Sequence, residues 1–392
     1  MKVYYDLTRC EWYQTEVSDI QLYLGHSRIP VPYRSQSSSP SLSWNVMVHE
    51  NRLGPVIAIV AAPYKQNSFS GNGAFFKKIM NQFNGIVIVM TDLSLRGNTI
   101  KSFVYWFDAQ AWVHVEAPWP DVMYNRIPRL KQIELPDKYP IPVFNRTFFK
   151  KYEVYKRLYA FPRLRDYLPE TRLLNDMTAK DILSFMQQHK RVYIKANDGS
   201  QGKGTLVVKL LESGHVQMRT VKGENKVLVM EDFKNVVLPL LKKQQEWVVQ
   251  QAIEPDRIDD LRYDLRILAH LTDDASHSIT GIGIRAAPID AVVTHVPNGG
   301  QLLNFEKVKT RINTRELDNI IATCGEALSY QYGLIGEFSV DMTLSNTNNI
   351  CIFEANARPM KFDERDIEKK RLKNLQRVCY QLAEFPPPNE AN

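Results

Sequence analysis

Cysteine is scarce in this 392-residue chain: Cys10, Cys324, Cys351 and Cys379 stand alone, none in a CxxC pair and none beside a histidine. That spacing argues against a zinc centre or a disulfide framework and points to a reducing compartment. Long apolar runs are missing too. The most apolar stretch, residues 56–62, is far shorter than the roughly 20 residues a membrane helix needs. Residues 1–20 are polar and mixed in charge, unlike a signal peptide, so the expected address is cytoplasmic, with no membrane partner. Neither a Walker A loop nor a G-x-G-x-x-G ahead of a helix occurs, which disfavours P-loop and Rossmann nucleotide sites. No RNA- or DNA-binding motif is present. The net charge of +7 comes from scattered lysines and arginines, so no nucleic-acid partner is expected.

What remains is an ordinary globular composition, 44% hydrophobic and 24% charged, long enough for two or three domains. The organising stretch is 191–208, RVYIKANDGSQGKGTLVV. It reads as a β-prone run ending in Lys195, a loop with Gly199, Gly202 and Gly204, and a second β-prone run. Glycines bring backbone N–H groups close to a ligand, and concave arrays of amides suit phosphate. A flexible exposed turn would carry the same glycines.

Residues 1–50 hold sparse strand signals at 2–7 and 20–24 and a Ser-rich loop at 35–43. Residues 56–63, 73–83 and 85–91 follow the pattern strand, helix, strand, a βαβ-like unit that predicts an α/β domain over 1–142. The proline-punctuated stretch 136–142 marks its boundary. Helix spacing follows at 148–159 and again after Thr178, with strands at 246–253, 262–271 and 279–285. On the second of these strands Asp264 and Arg266 share one face. Residues 314–332 predict an amphipathic helix closed by Gly333.

Two apolar runs, 335–344 and 349–356, read as paired strands. Asp341 lies on the first; Glu354 and Asn356 lie two apart on the second and so point the same way. Oxygen donors of acidic character without soft partners suit Mg²⁺. Taken alone they also fit a hydrated strand end.

The conjunction is more specific than its parts. The chain resembles the ATP-grasp fold and, more closely, the YheC/YheD-like ATP-grasp family associated with bacterial endospore coats. The resemblance covers roughly residues 50–385. It rests on LGP (53–55), PDVMYNRIPR (120–129), KKYEVYKRL (150–158), LPET (168–171), YIKANDGSQGKG (193–204), VVQQAI (248–253), YDLRIL (263–268), NGG (298–300) and FEANARPMKF (353–362). It implies an α/β fold of α+β lobes: an N-terminal pre-grasp domain (1–142), an ATP-grasp domain (143–385) with a lid at about 178–252, and a tail (386–392).

The cofactors it implies are ATP and Mg²⁺, or Mn²⁺ in its place. Lys151 and Lys195 would meet the α- and β-phosphates, and Ser200, Gln201, Gly202, Lys203 and Gly204 would close over the β- and γ-phosphates. Gln250, with the main chain at Ala252 and Ile253, would seat adenine, and Glu254 or Asp256 the ribose. Arg266 and Arg285 would face the γ-phosphate and the acceptor carboxylate, and Asp341, Glu354 and Asn356 would hold the metal. The implied activity is ligation of a carboxylate to an amine or thiol through an acyl phosphate, releasing ADP. The alternative is an ATP-binding structural protein of the spore coat with little turnover, partnered by coat proteins.

Overall fold

The structure is a computed structural model that describes residues 1–35, 39–65, 68–69, 72–91, 97–127, 140–199 and 204–387. The apolar runs Val56–Val60 and Ile86–Met90 form adjacent parallel strands joined by the helix Gly73–Gln82. Val122–Asn125 and Val143–Phe144 extend this sheet in parallel on one side, and Thr99–Trp106 and Ala111–Pro118 extend it antiparallel on the other. Both faces are covered, which is why the two central strands are apolar throughout. Val56, Ala58 and Val60 pack toward the small sheets made by the first fifty residues, where Trp12 donates its indole N–H to the Glu116 carbonyl at 2.8 Å. Ile57 and Ile59 point the opposite way, onto Phe76 and Ile79 of the Gly73–Gln82 helix.

The same opposite face receives Leu372, Leu375, Cys379 and Tyr380 of the C-terminal helix Arg365–Leu382. The N-terminal sheet is therefore completed by the other end of the chain. Glu337, fully buried, ties the two halves together. Its carboxylate accepts from two nitrogens of Arg371 at 2.9 Å each and from the Tyr124 hydroxyl, with Arg126 at 3.6 Å and His270 at 3.5 Å. Burial opposes ionisation of Glu337, but Arg371 and His270 outweigh it and hold the group well below the carboxylate range. Breaking such a buried pair from one side costs about 3–5 kcal/mol. Asn145 adds a second tie, donating to the carbonyls of Glu337 (2.7 Å) and Ala357 and accepting from the Gly336 N–H at 2.9 Å.

The remaining residues build two antiparallel sheets. The first runs in the order Thr171–Leu173, Trp247–Gln251, Arg191–Ala196, Thr205–Leu210, Val216–Thr220, Asn225–Leu228. Val192, Ile194, Val208 and Val249 face a core shared with the helix Ala179–His189, whose N-cap Thr178 forms a capping box with Asp181. The second sheet has the order Gln301–Leu303, His277–Pro288, Leu261–Leu271, Glu337–Leu344, Ile350–Asn356. Leu265, Ile267, Val340 and Met342 face a core with the helices Thr314–Tyr332 and Lys151–Ala160. The period-2 alternation of each strand then sends the intervening residues to the opposite side, into the cleft between the sheets.

Candidate active site

Alternation decides which side chains reach the cleft. Val192, Ile194 and Ala196 enter the first sheet's core, so Tyr193 and Lys195 face outward. The Lys195 ammonium donates to the Gln250 side-chain carbonyl at 2.7 Å and lies 5.7 Å from the Phe353 ring centre. Burial is the main influence on it and lowers its pKa to about 8; Glu354 pulls it up and Lys151 pushes it further down. Lys151, on the first turn of its helix, donates to the Gly199 carbonyl at 2.7 Å and pairs with Glu354 at 3.0 Å. The base of the glycine loop is closed by the Ala196 N–H donating to the Gly204 carbonyl at 3.0 Å. Gly204 has φ +70°, a conformation that favours glycine. Ser200, Gln201, Gly202 and Lys203 lie outside the described residues.

Across the cleft the acids come together by register. Asp341 is directly opposite Glu354, and Arg266 is directly opposite Asp341 on the other side. A bulge makes this alignment. Ile350 and Ile352 point into the core, and strict alternation would send Glu354 after them. Instead the pairing shifts between Asp341↔Glu354 and Met342↔Ile352, leaving Phe353 without a cross-strand partner. That extra residue turns Glu354 and Asn356 to the cleft side and returns Ala355 to the core. Asn356 then donates to Glu354 at 3.0 Å.

The two carboxyls are shifted in opposite directions. Burial opposes ionisation of Glu354, but Lys151, Lys195 and the Asn356 hydrogen bond bring its pKa down to about 2. Asp341 is raised, chiefly by burial and further by Glu354, although Arg266 pulls against this. It makes no hydrogen bond or ion pair among the described residues. Among those residues no three His, Cys, Asp or Glu side chains group as a metal site. Two carboxylates and the Asn356 amide oxygen remain, an oxygen-only set in which Asp341 has no hydrogen-bond partner among the described residues. That chemistry fits a hard cation that keeps part of its water.

The strand Leu261–Leu271 brings Asp264 and Arg266 to the same face. Arg266 is 4% exposed, its Nε has no hydrogen-bond partner among the described residues, and its guanidinium stacks 5.1 Å from the Phe362 ring centre. Arg285, opposite Asp264, is equally buried and 4.0 Å from Asp363; burial and the nearby Arg266 lower its pKa. Thr294 donates to Asp264 at 2.6 Å and anchors the following loop, which holds His295 beside these arginines. Burial, Arg285 and Arg266 all favour a neutral His295.

Below Lys195, Gln250 donates to the Thr171 hydroxyl at 3.0 Å. A cleft of about 350 Å³, counted with its open mouth, lies among Tyr155, Leu168, Thr171, Val248, Gln250 and Phe353. The Ala252 N–H donates to the Arg191 carbonyl at 3.1 Å, and the Ile253 carbonyl accepts from Arg191 at 3.4 Å. Glu254 is half exposed and pairs with Arg191 and Arg257, whereas Asp256 is enclosed by Tyr263, Arg311 and the Arg257 N–H. Of the sequence-predicted site residues, Lys151, Lys195, Gln250 and Glu354 line this cleft, Asp341, Arg266 and Asn356 lie beside Glu354, and Asp256 is turned inward. Thr171 and Phe353 drew no role from the sequence, and Asp264 was read only as sharing a face with Arg266, because only the sheet registers set these residues beside the lysines and acids.

A lysine-bearing hairpin sheet faces an acid-bearing hairpin sheet, and the family model described as YheC/D-like ATP-grasp matches residues 140–385. The chain belongs to that family. Curated relatives extend the match beyond this span. The endospore coat-associated protein YheD of Bacillus subtilis is 25% identical over 362 residues, covering 84% of this chain and 77% of that protein. The endospore coat-associated protein YheC of the same organism is 21% identical over 288 residues, covering 68% and 78%. Among solved structures, D-alanyl-alanine synthetase A of Vibrio cholerae shares the fold with a TM-score of 0.51 at 12% identity, over 84% of this chain and 98% of that one. In this YheC/D-like ATP-grasp chain the fold is α/β, and the two facing sheets are its grasping lobes.

Proposed function

We propose that the protein is an ATP- and Mg²⁺-dependent ligase that joins a carboxylate to an amine or thiol and releases ADP. The observation that carries this is Asp341 set opposite Glu354 by the Phe353 bulge, with Lys151 and Lys195 facing them across the cleft. Phosphoryl transfer needs positioning and charge neutralisation more than covalent side-chain chemistry. Lys151 and Lys195 leave Glu354 and Gln250 for the α- and β-phosphates. The freed Gln250 carbonyl then accepts from the adenine amino group, the main chain at Ala252 and Ile253 meets the ring edge, and Glu254, the more exposed acid, takes the ribose. Residues 200–204 cover the β- and γ-phosphates.

Asp341, Glu354 and Asn356 would hold Mg²⁺, or Mn²⁺, which neutralises charge on the phosphates when bound. Arg266 and Arg285 orient the γ-phosphate and the substrate carboxylate. A carboxylate oxygen attacks the γ-phosphorus, and the bond to the β-phosphate oxygen breaks as ADP leaves. The acceptor nitrogen or sulfur then attacks the acyl carbon, the carbon–oxygen bond to phosphate breaks, and inorganic phosphate departs with the acceptor's proton. Closure over the cleft protects the acyl phosphate from water.

The full ligand set supports turnover over a purely structural coat role, while the names of the relatives support coat proteins as partners. The test is a metabolite-mixture screen for ADP release with mass identification of the product. In Glu354→Gln the rate falls about 100-fold or more, the scale of several kcal/mol of metal-assisted stabilisation. A Glu354→Gln rate equal to wild type contradicts this site.

A further inference from the structure

One row of residues crosses the second sheet through the site. By register, Glu354 faces Asp341, Asp341 faces Arg266, and Arg266 faces Gly283. Neighbouring strands lie about 4.8 Å apart, so the row runs from the acids, past the buried arginine, to a position one strand beyond it. At that last position there is no side chain. The space above Gly283 is filled by the Glu364 carboxyl group: a Cβ on Gly283 would lie 2.5 Å from one Glu364 oxygen and 3.2 Å from the other.

Glu364 precedes the helix Arg365–Leu382 but its side chain does not cap it. Both of its carboxylate oxygens are buried, and neither has a hydrogen-bond partner among the described residues. Unpartnered buried carboxylates are costly, and a group left so calls for a ligand or a catalytic role. The surroundings are equally incomplete. Arg266, 4% exposed and on the same face, has an unpartnered Nε, and the buried Nδ1 of His295 has none either. Arg285 lies near enough to feel the Glu364 charge, but its ion pair is with Asp363, at 4.0 Å.

We infer that Glu364 seats the ammonium group of the second substrate, so that the acceptor is an amine and not a thiol or an alcohol. This rests on the ligase reading above and narrows its acceptor class. An ammonium on Glu364 stands one strand from Arg266, the residue assigned to the transferred phosphate, within reach of an acyl group bound there. Arg266 and Arg285 on one side and Glu364 with Asp363 on the other divide the floor of the cleft into an anionic and a cationic subsite. A side chain at position 283 would displace the carboxylate from this place.

The probe is a mixture of free amino acids, compared with the same mixture N-acetylated, each with and without hydroxylamine, an uncharged trap for acyl phosphates at neutral pH. The measurement is ADP release with Mg·ATP, in the full chain and in Glu364→Gln. The wild type is expected to turn over free amino acids without the trap and N-acetylated ones only with it. Glu364→Gln is expected to lower the amine-dependent rate at least about tenfold more than the trapped rate, the scale of a charge-assisted hydrogen bond. Its Mg·ATP affinity serves as the control for folding. An equal loss of both rates overturns the proposal. So does thiol-dependent release from the N-acetylated mixture that matches the amine rate, or a dependence on K⁺ alone that Glu364→Gln abolishes. If no ADP appears under any condition, trap included, the ligase reading itself fails and this inference falls with it.

Discussion

Lys195 shows how single residues are prepared for a ligand that carries negative charge. Its ammonium donates to a neutral amide, Gln250, and burial brings its pKa down to about 8. The sign of the pH dependence follows. A lysine with a lowered pKa loses its charge as pH rises through about 8, so nucleotide phosphates lose an attractive partner above that value. Affinity for ATP, measured by calorimetry at fixed free Mg²⁺, should fall about tenfold between pH 7 and pH 9, the scale of one charged hydrogen bond. Lys195→Met should bind more weakly at every pH and show no step near 8. A wild-type profile flat from pH 7 to pH 9 would mean that Lys195 does not meet the phosphates. The partners of these residues were not legible in the sequence. Lysine and glycine signals are local, but the hydrogen bonds from Lys195 to Gln250 and from Gln250 to Thr171 depend on which strands are neighbours.

Elements with strong local patterns were read to within a few residues. The helix expected at 314–332 is Thr314–Tyr332, closed at Gly333, and the paired runs at 335–344 and 349–356 are Glu337–Leu344 and Ile350–Asn356. The C-terminal helix Arg365–Leu382 was not anticipated, because its lysines and arginines hide the stripe Leu372, Leu375, Cys379. The outer strands of the first sheet, Val216–Thr220 and Asn225–Leu228, are too polar to announce themselves. The small sheets of the first fifty residues are built from strands of two to five residues, too short for periodicity to register. The Phe353 bulge is the element on which the metal-binding set depends, and alternation alone would have put Glu354 into the core. Deleting Phe353 restores that alternation. The shortened protein should keep its first-sheet lysines yet lose the Mg²⁺ enhancement of ATP binding, and its melting temperature should drop as a carboxylate is driven into the core. Mg²⁺-enhanced binding that survives the deletion would show that Glu354 acts from some other geometry.

At the scale of the molecule, the N-terminal sheet and the acid-bearing sheet are held together by contacts between distant parts of the chain. The Arg365–Leu382 helix packs on the N-terminal sheet, Glu337 gathers Tyr124, Arg126, His270 and Arg371, and Asn145 joins the N-terminal sheet to the acid-bearing one. Within the motif 120–129, Tyr124, Asn125 and Arg126 have a structural role, tying the N-terminal sheet to Glu337 and Asn145. No helix among the described residues is long and apolar enough to cross a membrane. The two facing sheets leave a cleft with Lys195 on one side and Asp341, Glu354 and Arg266 on the other, bridged by Lys151, which bonds both Gly199 and Glu354. Under the proposed function a nucleotide and its cation would bind between them. The most direct measurement is therefore calorimetric titration of the full chain with ATP, with and without Mg²⁺, alongside Lys195→Ala. The account predicts saturable 1:1 binding that Mg²⁺ strengthens and that Lys195→Ala weakens by about 1–3 kcal/mol. Absence of binding, or binding indifferent to both Mg²⁺ and Lys195, would contradict it.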